Sequence, residues 1–196
     1  MNNMAYLKHF FTAFVVIFFD QLLKIMVKIN MYLGEEVRVI GSFFKLRFEE
    51  NNGFAFGLEF SEILAKVNIS IAPETGKIIL SLFSICAVIG LGYILFRFAR
   101  HRSPLPFYIA LIFGGALGNI IDRTFYGLIF SPINVYDGGL FHGKVVDMLY
   151  FDITGNNMVS PIFNIADTAI FSGIIVVLIF QSKFLRMHEQ TKVDVS

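Results

Sequence analysis

The stretch "PFYIALIFGGALGNIIDR" (106–123) joins an uncharged, apolar run to a polar ending. Its first two-thirds suits a helix in hydrocarbon; then Asn119, Asp122 and Arg123 arrive together. Gly114 and Gly118 form a GxxxG pattern, which lets another helix approach closely. Gly115, Asn119 and Asp122 fall at i, i+4 and i+7 and share one face, with Arg123 stacked above Asn119. Lipid does not tolerate such a face, so it must turn toward the interior of a bundle. Polar glue between helices and a functional site are both open readings of it.

Three further runs extend the pattern. The chain has 196 residues, 56% hydrophobic and only 16% charged, which is too little charge for a soluble domain of this size. With a need for about 20 residues per crossing, the spans are expected at about 8–29, 76–97, 106–123 and 162–183. The fold class expected is an all-α membrane protein with four transmembrane helices. No linker, low-complexity run or repeat divides residues 1–196, so a single integral membrane domain is expected. The first run is read as a retained helix rather than a cleaved leader, because Asp20 and Lys24 lie inside it and no small-residue cleavage site ends it.

Charge orients the spans. Arg97, Arg100 and Arg102 crowd the short link between the second and third runs, and Lys183, Arg186 and Lys192 follow the fourth. By the positive-inside rule both termini are cytoplasmic, with loops 30–75 and 124–161 outside, toward the periplasm in a bacterium. In the first loop, Phe44, Leu46 and Phe48 alternate with Lys45, Arg47 and Glu49, the period of a half-buried strand. Phe60, Ile63, Leu64, Val67 and Ile71 then recur at helical spacing, which predicts an amphipathic helix on the outer membrane surface.

The remaining polar residues cluster toward the outer side. Asp20 and Lys24 are four apart, acid before base, the favourable order for an ion pair on one helix face; the reading is a structural polar core. "NNGFAFG" (51–57) offers the Asn51 amide and turn-forming Gly53 and Gly57. Asn164 and Asp167 share a face at the outer end of the fourth span, and Asp147 sits in "VVDM" between apolar neighbours. Two aspartates meeting in a low-dielectric site cannot both ionise, so one keeps a proton and the pair holds an acid and a base together. Such a pair can activate water against a peptide carbonyl. Ion coordination and structural hydrogen bonding are the alternatives. His9, His101, His142 and His188 are scattered, so no metal site is expected. The lone Cys86 reads as a packing residue.

Five elements, "DQLLK" (20–24), "NNGFAFG" (51–57), "GGALGNIIDR" (114–123), "VVDM" (145–148) and "FNIAD" (163–167), together resemble lipoprotein signal peptidase, the signal peptidase II of bacteria. They stand in that family's order and cover nearly the whole chain. The resemblance implies an aspartic endopeptidase of the bacterial cytoplasmic membrane. It would cut signal peptides from diacylglyceryl-modified prolipoproteins just before the lipidated cysteine. It implies that Asp147 and Asp167 are catalytic, that Asn51, Gly53, Asn119, Arg123 and Asn164 line the site, and that Asp20, Lys24, Gly115 and Asp122 form the polar core around it. It implies a periplasmic β-cradle with a lid helix, sensitivity to globomycin-type peptides, contact with membrane lipid, a monomer, and no nucleic acid, metal or cofactor. The chain departs from the family at Met148, where Phe is usual, and over 124–144, where most members have a much shorter link. Asp137 and Asp152 lack a family match and are expected to face water. A proton-coupled transporter and a non-catalytic scaffold are the rival classes; clustering of the polar groups at one membrane side argues against the first.

Overall fold

The computed structural model describes residues 4–52, 64–66, 68–101, 103–136, 138–152 and 160–193. Four helices are long and apolar enough to span a membrane: α1 (Met4–Asn30), α2 (Pro73–Phe98), α3 (Leu105–Ile121) and α4 (Ile165–Val193). The protein is therefore a multi-pass membrane protein. Their exposed Phe11, Phe14, Phe18, Phe83, Ile89 and Phe171 belong in lipid, which removes the need for a polar outer face. The third span does not stop at Arg123. It continues through a π-helical turn, Asp122–Tyr126, into Gly127–Ile129. A π-turn widens the helix by one residue and leaves backbone groups to be satisfied from outside. The amides of Phe141 and Gly143 do this, donating to Thr124 O and Arg123 O at 3.0 Å each.

The chain divides into two compact units, Met1–Asp20 with Ala87–Gly118 and Ile165–Ser196, and Gln21–Cys86 with Asn119–Asn164. The first unit is helical, and its close packing explains the glycines of α3. A Cβ on Gly114 would stand 2.8 Å from Ala13 O of α1, and one on Gly118 would stand 2.8 Å from Asp20 Oδ2. On Gly115 it would run into Ala166 O of α4. The GxxxG pair thus receives α1, while Gly115 receives α4. Leu95, Ile109 and Ala110 form a separate apolar cluster in this unit.

The second unit carries a four-stranded antiparallel sheet in the order β1 (Glu36–Ile40), β2 (Phe44–Asn51), β3 (Val145–Phe151) and β4 (Ile162–Phe163). One face packs Phe48, Val146 and Met148 against Val27 and Tyr126. The alternation expected for 44–49 holds only in part. The β2–β3 register shifts between Leu46 and Glu49, so Lys45 and Phe48, three apart, are the buried residues of this strand. Two further expectations are corrected. Asp152 is buried rather than facing water, because Lys45 of β2 supplies a counter-charge at 3.4 Å. Cys86 is exposed on α2 and is not a core residue. Of the predicted surface helix (60–71), residues 60–63 and 67 lie outside the described residues, as do Gly53, Gly57 and Asp137; among the described positions only 64–65 are helical.

Candidate active site

Strand pairing builds the first part of the site. Asn51 is opposite Val145, so Asp147, two residues on, is its diagonal neighbour on the same sheet face. Asn51 Nδ2 accordingly donates to Asp147 Oδ2 at 3.2 Å. Pairing of Phe163 with Leu149 ends β4 one residue before Asn164. Asn164 is wholly buried, and its Nδ2 donates to Asp147 Oδ1 at 2.7 Å. Asp147, 4% exposed, therefore has an amide donor on each carboxylate oxygen. Two donors, one from β2 and one from the residue that follows β4, fix the plane of the carboxylate as well as its position.

A polar chain runs from this point into α3 and α1. Asn164 Nδ2 also lies 3.3 Å from Asn119 Oδ1, which accepts a hydrogen bond from Lys24 Nζ at 2.8 Å. The same ammonium pairs with Asp122 Oδ2 at 2.8 Å, both side chains being fully buried. Asp122 also accepts the Val146 amide at 3.2 Å and the Gln21 side-chain amide at 2.8 Å. Gln21 in turn accepts the Tyr126 hydroxyl at 3.1 Å. A buried charge pair is stable only when its remaining donors and acceptors are filled, and this one is tied into a network that does so. Asp122 thereby fastens β3, next to Asp147, to the start of the π-turn.

In the helical unit, Asp20 Oδ1 accepts the amide of Ala166 at 2.8 Å. Ala166 is in the first turn of α4, where backbone amides have no partner within the helix. Asp20 thus caps, from another helix, the turn that carries Asp167. Gly118 leaves the room for that carboxylate. Besides the Asp20–Lys24 pairing that sequence spacing suggests, Asp20 accepts the Ala166 amide and Lys24 pairs with the carboxylate of Asp122. Asn51, Asn119, Asn164, Asp147, Lys24 and Asp122 are joined in one network, and Arg123 enters the π-turn with its carbonyl held by Gly143.

Sequence reasoning missed Gln21, Tyr126, Lys28 and Glu50. A signal for two of them was present. Gln21 and Lys28 lie with Lys24 at i, i+3 and i+7, a polar stripe along an otherwise apolar helix.

The family model for signal peptidase (SPase) II matches residues 12–183. The chain belongs to the signal peptidase II family. It is thus a peptidase of the aspartic kind that cleaves lipoprotein signal peptides. The lipoprotein signal peptidase of Porphyromonas gingivalis is 36% identical over 187 residues, covering 82% of this chain and 76% of the relative. That of Pelodictyon phaeoclathratiforme is 33% identical over 196 residues, covering 94% and 96%. Among solved structures, a bacterial membrane enzyme determined by the in meso method matches with TM-score 0.62 and 30% identity, over 90% of this chain and 88% of that one. Asp147 is thus a buried carboxylate with a side-chain amide on each of its oxygens.

Proposed function

We propose that Asp147 and Asp167 are the catalytic pair of this signal peptidase II, acting on diacylglyceryl-prolipoproteins just before the lipidated cysteine. The observation that carries this reading is the grip on Asp147: a buried carboxylate with one amide donor on each oxygen, from Asn51 and Asn164. Asn164 stands three residues before Asp167, at the start of α4, so one short stretch serves both aspartates.

The chemistry needs one proton shared by two carboxylates. The ionised one takes a proton from water as its oxygen attacks the scissile carbonyl. The protonated one gives its proton to the carbonyl oxygen, forming a neutral gem-diol. Collapse breaks the C–N bond: the protonated carboxyl gives its proton to the leaving nitrogen while the ionised one takes a proton from a gem-diol hydroxyl, which leaves a carboxylic acid, an amine and one proton on the pair. No cofactor or metal enters this scheme. Asn51, Asn119, Asn164, Gly53 and Arg123 line the substrate path, and Lys24, Asp122, Asp20 and Gly115 hold the surrounding polar core. The whole of 1–196 acts as one membrane domain and as a monomer. Both termini face the cytoplasm, and the site faces the periplasmic side of a bacterial inner membrane, open to lipid so that the acyl chains stay in the bilayer. Globomycin-type peptides would compete for the same place.

The test is cleavage of a diacylglyceryl-modified prolipoprotein by purified wild type, Asp147→Asn and Asp167→Asn, each checked for folding. Wild type should cut before the lipidated cysteine with a bell-shaped pH dependence belonging to the pair, while both variants fold and are inert. Near-normal turnover in either variant would remove that residue from the mechanism.

A further inference from the structure

Lys28 is a buried cation that the chemistry above does not use. It lies in the last turn of α1, where a positive charge suits the helix C-terminus. Its ammonium forms an ion pair with Glu50, and both side chains are almost completely removed from solvent. Three aromatic rings surround it: Phe48, Phe130 and Tyr136, with centroids 5.6, 5.9 and 5.6 Å away. Such rings present their negative faces to a cation and replace part of its lost hydration. Two of the three belong to the 124–144 segment.

The box adjoins the site through the backbone. Glu50 immediately precedes Asn51, and its partner across the sheet is Val146, the neighbour of Asp147. Asn51 is the last residue of β2, so nothing further along that strand holds it in register. Tyr136 is itself fastened: Lys144 N lies 3.4 Å from its hydroxyl, and the Lys144 ammonium is 4.5 Å from its ring. Burial and then the Glu50 charge push the Tyr136 hydroxyl up to about 12, so the Glu50 carboxylate is felt across the box.

We propose that Lys28 is a positioning residue for the cleavage reaction. With Glu50 and the rings of Phe130 and Tyr136, it holds the end of β2 so that the Asn51 amide stays on Asp147. The 124–144 segment is on this account part of the machinery that sets turnover. The proposal rests on Asp147 being catalytic. Its effect is expected chiefly in the chemical step, because the positions that Lys28 and Glu50 hold, Asn51 and the Val146 pairing, set the place of the Asp147 carboxylate.

The experiment compares kcat and KM on a diacylglyceryl-prolipoprotein for the full chain and its variants. Lys28→Met with Glu50→Gln removes both charges together, so no lone buried charge is left to unfold the protein. In this double variant kcat should fall by about tenfold or more, the scale of a modest misplacement at a reacting group, with KM changed by less than about twofold. Tyr136→Leu leaves both charges in place and tests the box independently; kcat should fall in the same way, and Tyr136→Phe, which keeps the ring, should restore it. Asp147→Asn is run beside them. Wild-type kcat in the folded double variant and in Tyr136→Leu, with Asp147→Asn inert, overturns the role of Lys28 and leaves the catalytic reading intact. An active Asp147→Asn overturns both.

Discussion

Asp147 lies within β3 and Asp152 immediately follows it; both are buried, and different side chains orient them. Asp147 receives the side-chain amides of Asn51 and Asn164. Asp152 receives the ammonium of Lys45 at 3.4 Å, beneath an edge where Glu36 also reaches the same lysine at 3.4 Å. Amide donors on both oxygens fix the plane and position of a carboxylate. An ion pair with Lys45 ties Asp152 to β2. The first arrangement is the one that the proposed catalytic role needs, and the second fastens the end of β3 to its neighbour. The two aspartates thus differ in the groups that orient them.

The sharpest way to break this comparison is Asn164→Ala. It removes the 2.7 Å donor from Asp147 and opens a polar gap in the network. Turnover should drop by about 100-fold, the scale of a misplaced catalytic group, in a protein that remains folded. Turnover within about twofold of wild type would show that the Asn164 grip is architectural only. A smaller effect is expected at the other end. Asp152→Asn should lower Tm by about 2–4 °C and leave kcat unchanged; a loss of turnover there would erase the distinction.

The smallest effect is alkaline. Burial alone would lower the Lys45 pKa, but its hydrogen bond to Asp152, with the charge and hydrogen bond of Glu36, outweighs this and raises it above 10.5. Folded Lys45 then keeps its proton to higher pH than the unfolded chain does. Its stabilisation is fully present below pH 10.5 and fades as pH rises through the folded value. Thermal unfolding followed across this range should show a shallower alkaline loss in Asp152→Asn than in wild type. Equal slopes would mean that Asp152 does not hold the Lys45 proton.

Much of this was legible from residue type and spacing. The four spans follow from apolar length, and the shared face of Gly115, Asn119 and Asp122 follows from helical period. What escaped was set by tertiary partners. The third span runs past Arg123 because amides from 141 and 143, distant in pattern though near in sequence, satisfy the carbonyls of a π-turn. Asp152 looked like a surface carboxylate because its neutralising lysine is 107 positions away. Nothing in sequence spacing pairs Lys28 with Glu50, which the fold brings together among three rings. The strand around Asp147 was hidden by a short apolar run whose pairing partner lies in another loop. Gly143 was also unremarkable in sequence, yet a Cβ there would collide with the Asp122 carbonyl.

The outer edge of the sheet has a practical consequence. All five residues of β1 are exposed, and Val37, Val39 and Ile40 stand among them on a strand whose outer side has no partner strand among the described residues. Such an edge is a template for a foreign strand, and only Glu36 and Arg38 interrupt it with charge. Once the protein is extracted from lipid, this edge is where chains would adhere to one another, so the choice of detergent must mask a sheet margin as well as the girdle of the helices.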